Sequence, residues 1–229
     1  VRALIKRIPV IGPIARITYR WLMPRKRIDF VTTGDYWQKR YTQGGNSGDG
    51  SYGKLAKFKA EILNAAVEEF SITSVIEFGC GDGNQLTLAD YPAYIGIDIS
   101  ETAVRLCRER FSADARKRFI ALGDYADERA DLALSLDVIY HLVEDSFYEA
   151  YLARLFNAAK RYVIIYSSNF EQPATVQVPP VRHHAFLTKV QQLFPEWVLE
   201  RRIANRYPYR ADDDSGSMAD FYFFSKQIK

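Results

Sequence analysis

A short apolar stretch that runs directly into clustered glycines constrains the fold of this chain most. Residues 74–78, "SVIEF", predict a buried strand, and Gly79, Gly81 and Gly83 follow at once. Such glycines allow a tight turn and let a ligand approach bare backbone. Their spacing is GxGxG, whereas a dinucleotide fingerprint requires GxGxxG, and a P-loop is excluded because no GK[ST] follows. Since Glu77 would be a poor neighbour for a pyrophosphate, the sequence favours a nucleoside ligand that carries a cationic amino group.

Helix-like and strand-like segments alternate along the rest of the chain at the spacing of a doubly wound α/β fold. Strands are expected at 74–78, 94–98, 118–122, 131–138, 161–168, 197–204 and 220–227. Helices are expected at 54–70, 83–90, 100–111, 145–159 and 185–194. The prediction is a Rossmann-like, seven-stranded and mostly parallel sheet in one domain over residues 35–229, preceded by a basic extension over residues 1–34.

Composition narrows the classes of function. The 229 residues are 48% hydrophobic and 26% charged, which is ordinary for a globular domain and excludes wholesale disorder. Cys80 and Cys107 form no CxxC pair, so they make neither a disulfide framework nor a metal site, and a reducing, cytoplasmic compartment is expected. A membrane span is not predicted, because no run of about 18 apolar residues occurs.

The net charge of +3 hides an asymmetry along the chain. Residues 1–27 carry eight basic and no acidic side chains, so the net charge of residues 28–229 is −5. Apolar residues near helical spacing, interrupted by Pro9 and Pro13, predict two short amphipathic helices. Such a segment packs on its own domain, joins a dimer contact or lies on the inner face of an anionic membrane. Nucleic acid is not favoured as a partner, and the oligomeric state stays open.

Four motifs in order over residues 35–229 resemble those of class I S-adenosylmethionine-dependent methyltransferases: "EFGCGDG", "GIDIS", "LGDYAD" and "LSLDVIYHL". The resemblance implies that the first motif holds the methionine part of the cofactor, that Asp98 grips the ribose hydroxyls and that Asp124 accepts the adenine amino group. S-adenosylhomocysteine would be the product. Asp137 lies at the active-site rim, faces solvent or caps its strand. The cofactor residues implied in full are Trp37, Tyr41, Glu77, Gly79, Gly81, Gly83, Asp98, Ile99, Asp124, Tyr125 and Leu136.

A second glycine-rich stretch, "GGNSGDGSYG" at 44–53, has five glycines in ten positions. No strand precedes it, and the acids of an EF-hand are missing. With the aromatic-rich turn before it, the stretch resembles a segment that in several methyltransferases of this class folds over the cofactor as a lid. Trp37 and Tyr41 would then pack near the methionine moiety, with plain packing or substrate contact as alternatives. Residues 44–53 are predicted to be a hinge that is mobile when the site is empty and ordered when cofactor binds.

Three histidines are candidates for chemistry. A base is needed only if the acceptor is a hydroxyl, and the resemblance places His141 at the rim where acceptors bind, although a buried and satisfied histidine is the alternative. His183 is the second candidate base. Substrate contacts are expected from Tyr140, Arg182 and His184. No metal site is predicted, because two adjacent histidines lack further ligands at metal spacing.

The acceptor is less defined than the cofactor. Methylases of base amino groups typically show an Asn/Asp-Pro-Pro-aromatic run at the fourth strand, and "SLDVIYHL" departs from it. The chain is similar to small bacterial methyltransferases encoded among surface-polysaccharide functions, which implies O-methylation of a sugar hydroxyl or a phosphate-linked glycan. Two other classes stay open: a non-catalytic subunit that binds S-adenosylmethionine, and an NAD-dependent oxidoreductase.

Overall fold

The computed structural model describes residues 28–172, 180–210 and 215–227. The amphipathic helices expected in residues 1–27 lie outside the described residues, so they and the division of the chain at residue 34 stay predictions. The described chain joins the folded domain at Thr33, whose backbone amide donates to Glu144 Oε1 over 2.8 Å.

Seven strands form a single sheet in the part of the chain that the structure describes. They are β1 (Val75–Phe78), β2 (Tyr94–Asp98), β3 (Lys117–Ala121), β4 (Ala130–Leu136), β5 (Ala159–Ser167), β6 (Trp197–Ile203) and β7 (Asp220–Lys226). Their order is β3-β2-β1-β4-β5-β7-β6, and only β7 runs antiparallel to its neighbours. The predicted Rossmann-like, mostly parallel sheet is confirmed.

The strand order reverses between β1 and β4. The chain moves outward from β1 to β2 and β3, and then returns to place β4 on the other side of β1. In open α/β sheets, ligands bind at such a switch point, beyond the carboxyl ends of the strands. All four residues of β1 are buried, as expected for a strand covered on both faces. The glycine loop that follows β1 therefore lies where the topology places a ligand.

Five α-helices accompany the sheet in the described residues: α1 (Thr33–Thr42), α2 (Gly53–Glu69), α3 (Glu101–Arg110), α4 (Asp145–Ala158) and α5 (Phe186–Leu193). Phe156 of α4 and Phe186 of α5 pack in one core, whereas Phe58 of α2 and Cys107 of α3 pack in the other. Apolar side chains thus fill both layers between helices and sheet. None of these helices has the length and apolar content needed to span a bilayer.

Three local predictions differ from the structure. The helix expected at 83–90 is a single 3₁₀ turn over Gln85–Leu88, because Asn64 binds both the Leu88 carbonyl and the Asp90 amide and so ends the turn. The aromatic-rich turn is α1, which Thr32 caps by accepting from the Asp35 amide over 3.1 Å. The fourth strand ends at Leu136, two residues early, because Asp137 adopts a left-handed φ of 60°.

Candidate functional site

A cavity opens beyond the carboxyl ends of β1, β2 and β4, and it encloses about 800 Å³ counted out to its mouth. Nine of the predicted site residues line it: Trp37, Tyr41, Glu77, Gly79, Gly81, Asp98, Ile99, Leu136 and His141. Residues that lie far apart in sequence therefore meet at the switch point of the sheet.

The glycine loop after β1 presents bare backbone because neighbours occupy the space of any side chain. Gly79 has a φ of 91°, and a Cβ there would lie 2.4 Å from Val138 Cγ2. Gly81 has a φ of 58°, and its Cβ would lie 2.2 Å from Ser47 Oγ. Gly83 is also left-handed, but it packs against Cys107 and Phe111 and does not line the cavity. Gly79 and Gly81 thus belong to the cavity wall, and Gly83 fits the loop onto α3.

Two buried carboxylates flank this loop. Glu77 is 5% exposed and Asp98 is 6% exposed, at the ends of the adjacent parallel strands β1 and β2. Glu77 accepts from Tyr94 Oη over 2.6 Å, and Asp98 accepts from the Gly81 and Ser100 amides over 2.9 and 2.8 Å. Burial raises the pKa of Glu77 to about 7 and that of Asp98 to about 6. A ligand that brings a cation or further donors would favour their charged forms.

Sequence reasoning missed Lys59, a fully buried lysine of α2 that lines the same cavity. Its Nζ lies 2.6 Å from Asp137 Oδ2 and 5.3 Å from the centre of the Tyr166 ring. The sequence does carry a signal that Lys59 is buried. Lys59 falls between Leu55 and Leu63 at i,i+4 spacing, on the apolar face of the helix. A buried lysine requires a partner, and here the partner is a carboxylate of the site.

Asp137 lies at the cavity with a conformation that is uncommon for a residue with a side chain. Its φ is 60°, a left-handed value that aspartate tolerates better than most residues. Tyr140 Oη donates to Asp137 Oδ1 over 2.7 Å, opposite the contact with Lys59 at Oδ2. A Cβ on Gly50 would lie 2.7 Å from Asp137 Oδ2. Backbone and side chain of Asp137 are therefore both held in place, which is typical of functional positions.

Helix α1 covers the cavity with aromatic side chains. Trp37 stacks on Tyr41 with ring centres 5.8 Å apart and meets His141 edge-on at 5.0 Å. At one end of α1, Thr33 Oγ1 donates to Glu144 Oε2 over 2.6 Å. Nearer the middle, Gln38 Oε1 accepts from Ser100 Oγ over 2.7 Å. The helix thereby bridges the loops after β2 and β4.

The glycine-rich segment 44–53 packs onto the loop after β1. Ser47 and Asp82 exchange two hydrogen bonds, of 3.2 and 2.9 Å, between the backbone amide of each residue and the side chain of the other. Tyr41 Oη lies 3.0 Å from Ser47 Oγ, and Tyr52 Oη donates to Asp82 Oδ2 over 2.6 Å. The segment therefore ties α1 to the cavity, as a closed cover would.

The three histidines occupy different surroundings. His141 lines the cavity, half-buried, with Nδ1 3.0 Å from the Pro180 carbonyl oxygen. Burial lowers the pKa of His141. Because a carbonyl oxygen only accepts, neutral His141 carries its proton on Nδ1, and Nε2 is left to accept one.

The other two histidines lie outside the cavity lining. His184 is 3% exposed, with Nε2 2.9 Å from the Leu142 carbonyl and its ring stacked on Tyr148 at 4.1 Å. His183 Nδ1 lies 2.6 Å from Ser168 Oγ, and its ring stacks on Phe170 at 4.4 Å. These contacts place both rings in packing roles around the loop after β5.

The remaining predicted residues also fall outside the lining. Asp124 is exposed, and Tyr125 donates to the Glu128 carbonyl over 3.1 Å. Leu122, from the same turn, lines the cavity in their place. Arg182 donates to the Val143 carbonyl over 2.9 Å and pairs with Asp145 over 2.8 Å. Within the described residues, His, Cys, Asp and Glu side chains form no group of three suited to a metal ion.

Comparison with known families gives one match. The family model described as a methyltransferase domain matches residues 75–161, from the first residue of β1 into β5. This stretch contains the glycine loop, both buried carboxylates and His141. A search of curated protein sequences gave no match.

Solved methyltransferase structures share the fold. The methyltransferase domain of bacterial CtHen1-C is 19% identical, with a TM-score of 0.59 over 76% of this chain and 100% of that one. The N-methyltransferase NodS from Bradyrhizobium japonicum WM9, in complex with S-adenosylhomocysteine, is 16% identical, with a TM-score of 0.60 over 76% and 88%. Magnesium protoporphyrin IX methyltransferase from Synechocystis PCC 6803, with bound S-adenosylmethionine, is 14% identical, with a TM-score of 0.59 over 87% and 100%. The chain has the Rossmann-like methyltransferase fold.

Proposed function

We propose that this protein is an S-adenosylmethionine-dependent methyltransferase that acts on a hydroxyl group. The observation that carries the proposal is the pair of buried carboxylates, Glu77 and Asp98, on either side of a bare glycine loop in one cavity. Glu77 would hold the amino group of the methionine part, and Asp98 the ribose hydroxyls. The apolar wall for the adenine ring would come from Leu122, Ile99 and Leu136. The residues present therefore fit this cofactor.

The chemistry divides between cofactor and chain. S-adenosylmethionine supplies an electrophilic methyl group on a sulfonium, so the protein needs mainly to align a nucleophile in line and exclude water. Trp37 and Tyr41 on α1 cover the cavity and exclude water. His141 would take the acceptor proton at Nε2, while the bound cofactor would supply the methyl group and keep the carbon–sulfur electron pair on sulfur. A neutral histidine with a fixed tautomer suits this task.

A sugar or glycan hydroxyl is the acceptor within this proposal. Its support is the resemblance of the sequence to methyltransferases of surface-polysaccharide synthesis and Nε2 of His141, which has no hydrogen-bond partner among the described residues. A hydroxyl, unlike many amines, requires such a base. Of the two candidate bases, His141 is favoured over His183 because only His141 lines the cavity. The basic segment 1–27 would bring the enzyme to the membrane surface where such glycans are assembled.

Two alternatives have weaker support. An NAD-dependent oxidoreductase would place a pyrophosphate beside Glu77, where the two negative charges repel. A non-catalytic subunit that binds S-adenosylmethionine would not require a histidine with a free nitrogen at the cavity. Transfer of a labelled methyl group to any fraction of a cell extract would exclude that second alternative.

Isothermal titration calorimetry with S-adenosylmethionine, S-adenosylhomocysteine and NAD tests the proposal. The first two are expected to bind and NAD is not. Asp98→Ala should weaken both affinities by about tenfold or more, because it removes a charged acceptor. Asp127→Asn, which changes an exposed carboxylate away from the cavity, is the matched control and should bind normally. The proposal is wrong if neither S-adenosylmethionine nor S-adenosylhomocysteine binds, or if Asp98→Ala leaves the affinities for both unchanged.

A further inference from the structure

A second pocket adjoins the cofactor cavity and opens to solvent. It encloses about 610 Å³ counted out to its mouth. Four residues line both spaces: Trp37, Ser47, Asp137 and His141. A molecule in the second pocket would therefore contact the same histidine that faces the cofactor cavity. This shared wall is what an acceptor site requires.

The rest of the wall is largely aromatic. The rings of Tyr36, Trp37 and Tyr140 contribute to it. Arg40 contributes as well, but its guanidinium donates to the Asn46 carbonyl over 2.6 Å and to Tyr36 Oη over 3.1 Å, and it stacks on Trp37 at 5.4 Å. These contacts fix the Arg40 side chain within the wall of the pocket.

Negative groups complete the lining. The exposed carboxylate of Asp49 lies at the rim, and Asp137 lies at the boundary with the cofactor cavity. Lys59 forms a salt bridge with Asp137, with Nζ 2.6 Å from Oδ2. Within residues 28–172, 180–210 and 215–227, the cations at this pocket are Arg40, which hydrogen-bonds to the wall, and Lys59, which pairs with Asp137. With Asp49 and Asp137 they give the wall no net charge, which favours a neutral molecule over a phosphate or a carboxylate.

Asp137 has the capacity to bind such a molecule. A carboxylate has about four acceptor positions; the part of the chain that the structure describes uses one on Oδ1 for Tyr140 and one on Oδ2 for Lys59. The side chain is 12% exposed, and it lines both spaces. Hydroxyl groups are the neutral donors that a fixed carboxylate binds best, and aromatic rings pack well against the C–H faces of a sugar.

We propose that this second pocket binds a neutral, polyhydroxylated acceptor, such as an unphosphorylated sugar ring. Asp137, held by Lys59 and Tyr140, accepts a hydrogen bond from one acceptor hydroxyl, while a neighbouring hydroxyl lies at His141. Lys59 is then a positioning residue, because it acts through Asp137. This inference rests on the proposed function and selects a neutral sugar over a phosphate-linked one.

Saturation-transfer NMR on the full chain loaded with S-adenosylhomocysteine tests the acceptor class. The probes are the methyl glycosides of glucose, galactose, mannose and rhamnose, together with glucose 6-phosphate and catechol. At least one neutral glycoside should bind, and more tightly than the phosphate or catechol. Tighter binding of glucose 6-phosphate or catechol, or no binding of any glycoside to the loaded protein, would overturn the inference. Failure to load with S-adenosylhomocysteine would instead overturn the proposed function.

Paired variants test the role of Asp137. Asp137→Asn keeps the shape of the side chain, and asparagine also tolerates the left-handed backbone. The change should weaken glycoside binding by about tenfold or more. Its effect on the affinity for S-adenosylhomocysteine should be smaller. Because this change removes the carboxylate that pairs with the buried Lys59 at 2.6 Å, the melting temperature should also fall.

The double variant Lys59→Met/Asp137→Asn separates structure from binding. Removing both charges should restore the melting temperature, but glycoside binding should stay weak. Asp127→Asn is the control and should match the unmodified protein in both measurements. Recovery of glycoside binding together with stability in the double variant would show that Asp137 has only a structural role, and would overturn the assignment.

Discussion

At the scale of single residues, His141 combines three properties that a general base needs. It lines the cavity, its Nδ1 is fixed by the Pro180 carbonyl over 3.0 Å, and burial lowers its pKa below the usual 6.5. Neutral histidine is therefore the dominant form at pH 7. The ring is held in place by the edge of Trp37 at 5.0 Å, so its orientation does not need to be established during the reaction.

This arrangement predicts the effect of replacing the histidine. His141→Ala should lower kcat/KM for methyl transfer by about 10²- to 10⁴-fold, with little change in cofactor affinity. In the unmodified enzyme, kcat/KM should rise with pH and level off at a lower pH than for a free histidine, because the base is active when deprotonated and burial lowers the pKa of His141. Labelled methyl transfer to the acceptor-containing fraction of a cell extract is the measurement. His183→Gln provides the comparison, and a larger loss in that variant would show that His141 is not the base.

At the scale of elements, we expect α1 and segment 44–53 to act as one cover. Trp37 and Tyr41 face the cavity from the helix, and Ser47 joins the segment to the glycine loop through Asp82. These contacts between cover and loop are few and polar, whereas the core helices are held by large apolar contacts. Opening of the cover should therefore require much less free energy than unfolding of the domain.

Limited proteolysis tests this cover. Proteinase K cleavage within residues 44–53, located by mass spectrometry, should slow by about fivefold or more with saturating S-adenosylhomocysteine, since ligand binding favours the closed form. Cleavage in the exposed loop at 126–129 serves as the internal control and should not change. Equal cleavage rates within 44–53 with and without ligand would show that the segment is not part of a lid.

At the scale of the whole molecule, the buried Glu77 should make stability depend on pH. Burial raises its pKa from 4.5 in the unfolded chain to about 7 in the folded protein. The folded state therefore binds this proton more tightly than the unfolded chain does. The resulting stabilisation of the fold is complete at low pH and is lost as pH rises through 7. Between pH 5 and 8 the ligand-free protein should lose about 2–3 kcal/mol of stability from this group.

Urea denaturation at pH 5, 6, 7 and 8 measures this loss. The comparison is with Glu77→Gln, which can still accept from Tyr94 and does not titrate, so other pH effects cancel in the difference between the two proteins. Glu68→Gln, on the exposed side of α2, controls for the loss of a carboxylate as such. A difference between the unmodified protein and Glu77→Gln that stays constant with pH would contradict the prediction.

Much of the fold could be predicted because its elements have local signals. The apolar run "SVIEF" and the glycines after it indicate β1 and its loop. The helix expected at 100–111 is α3, which Ser100 caps by accepting from the Ala103 amide. The helix expected at 83–90 was wrong because Asn64, distant in sequence, binds its end. Propensity describes a segment alone and cannot include such a partner.

The sequence by itself determined the order of the strands along the chain, the bare loop after β1 and the acids that flank it, because each depends on residues that are neighbours in the chain. Only the tertiary structure decided which side chains share the cavity. Lys59 meets Asp137 across 78 positions, and His141 lines the cavity while His183 stacks on Phe170. These pairings depend on how the helices pack on the sheet. Periodicity shows which face of a helix is buried, but not what that face will meet.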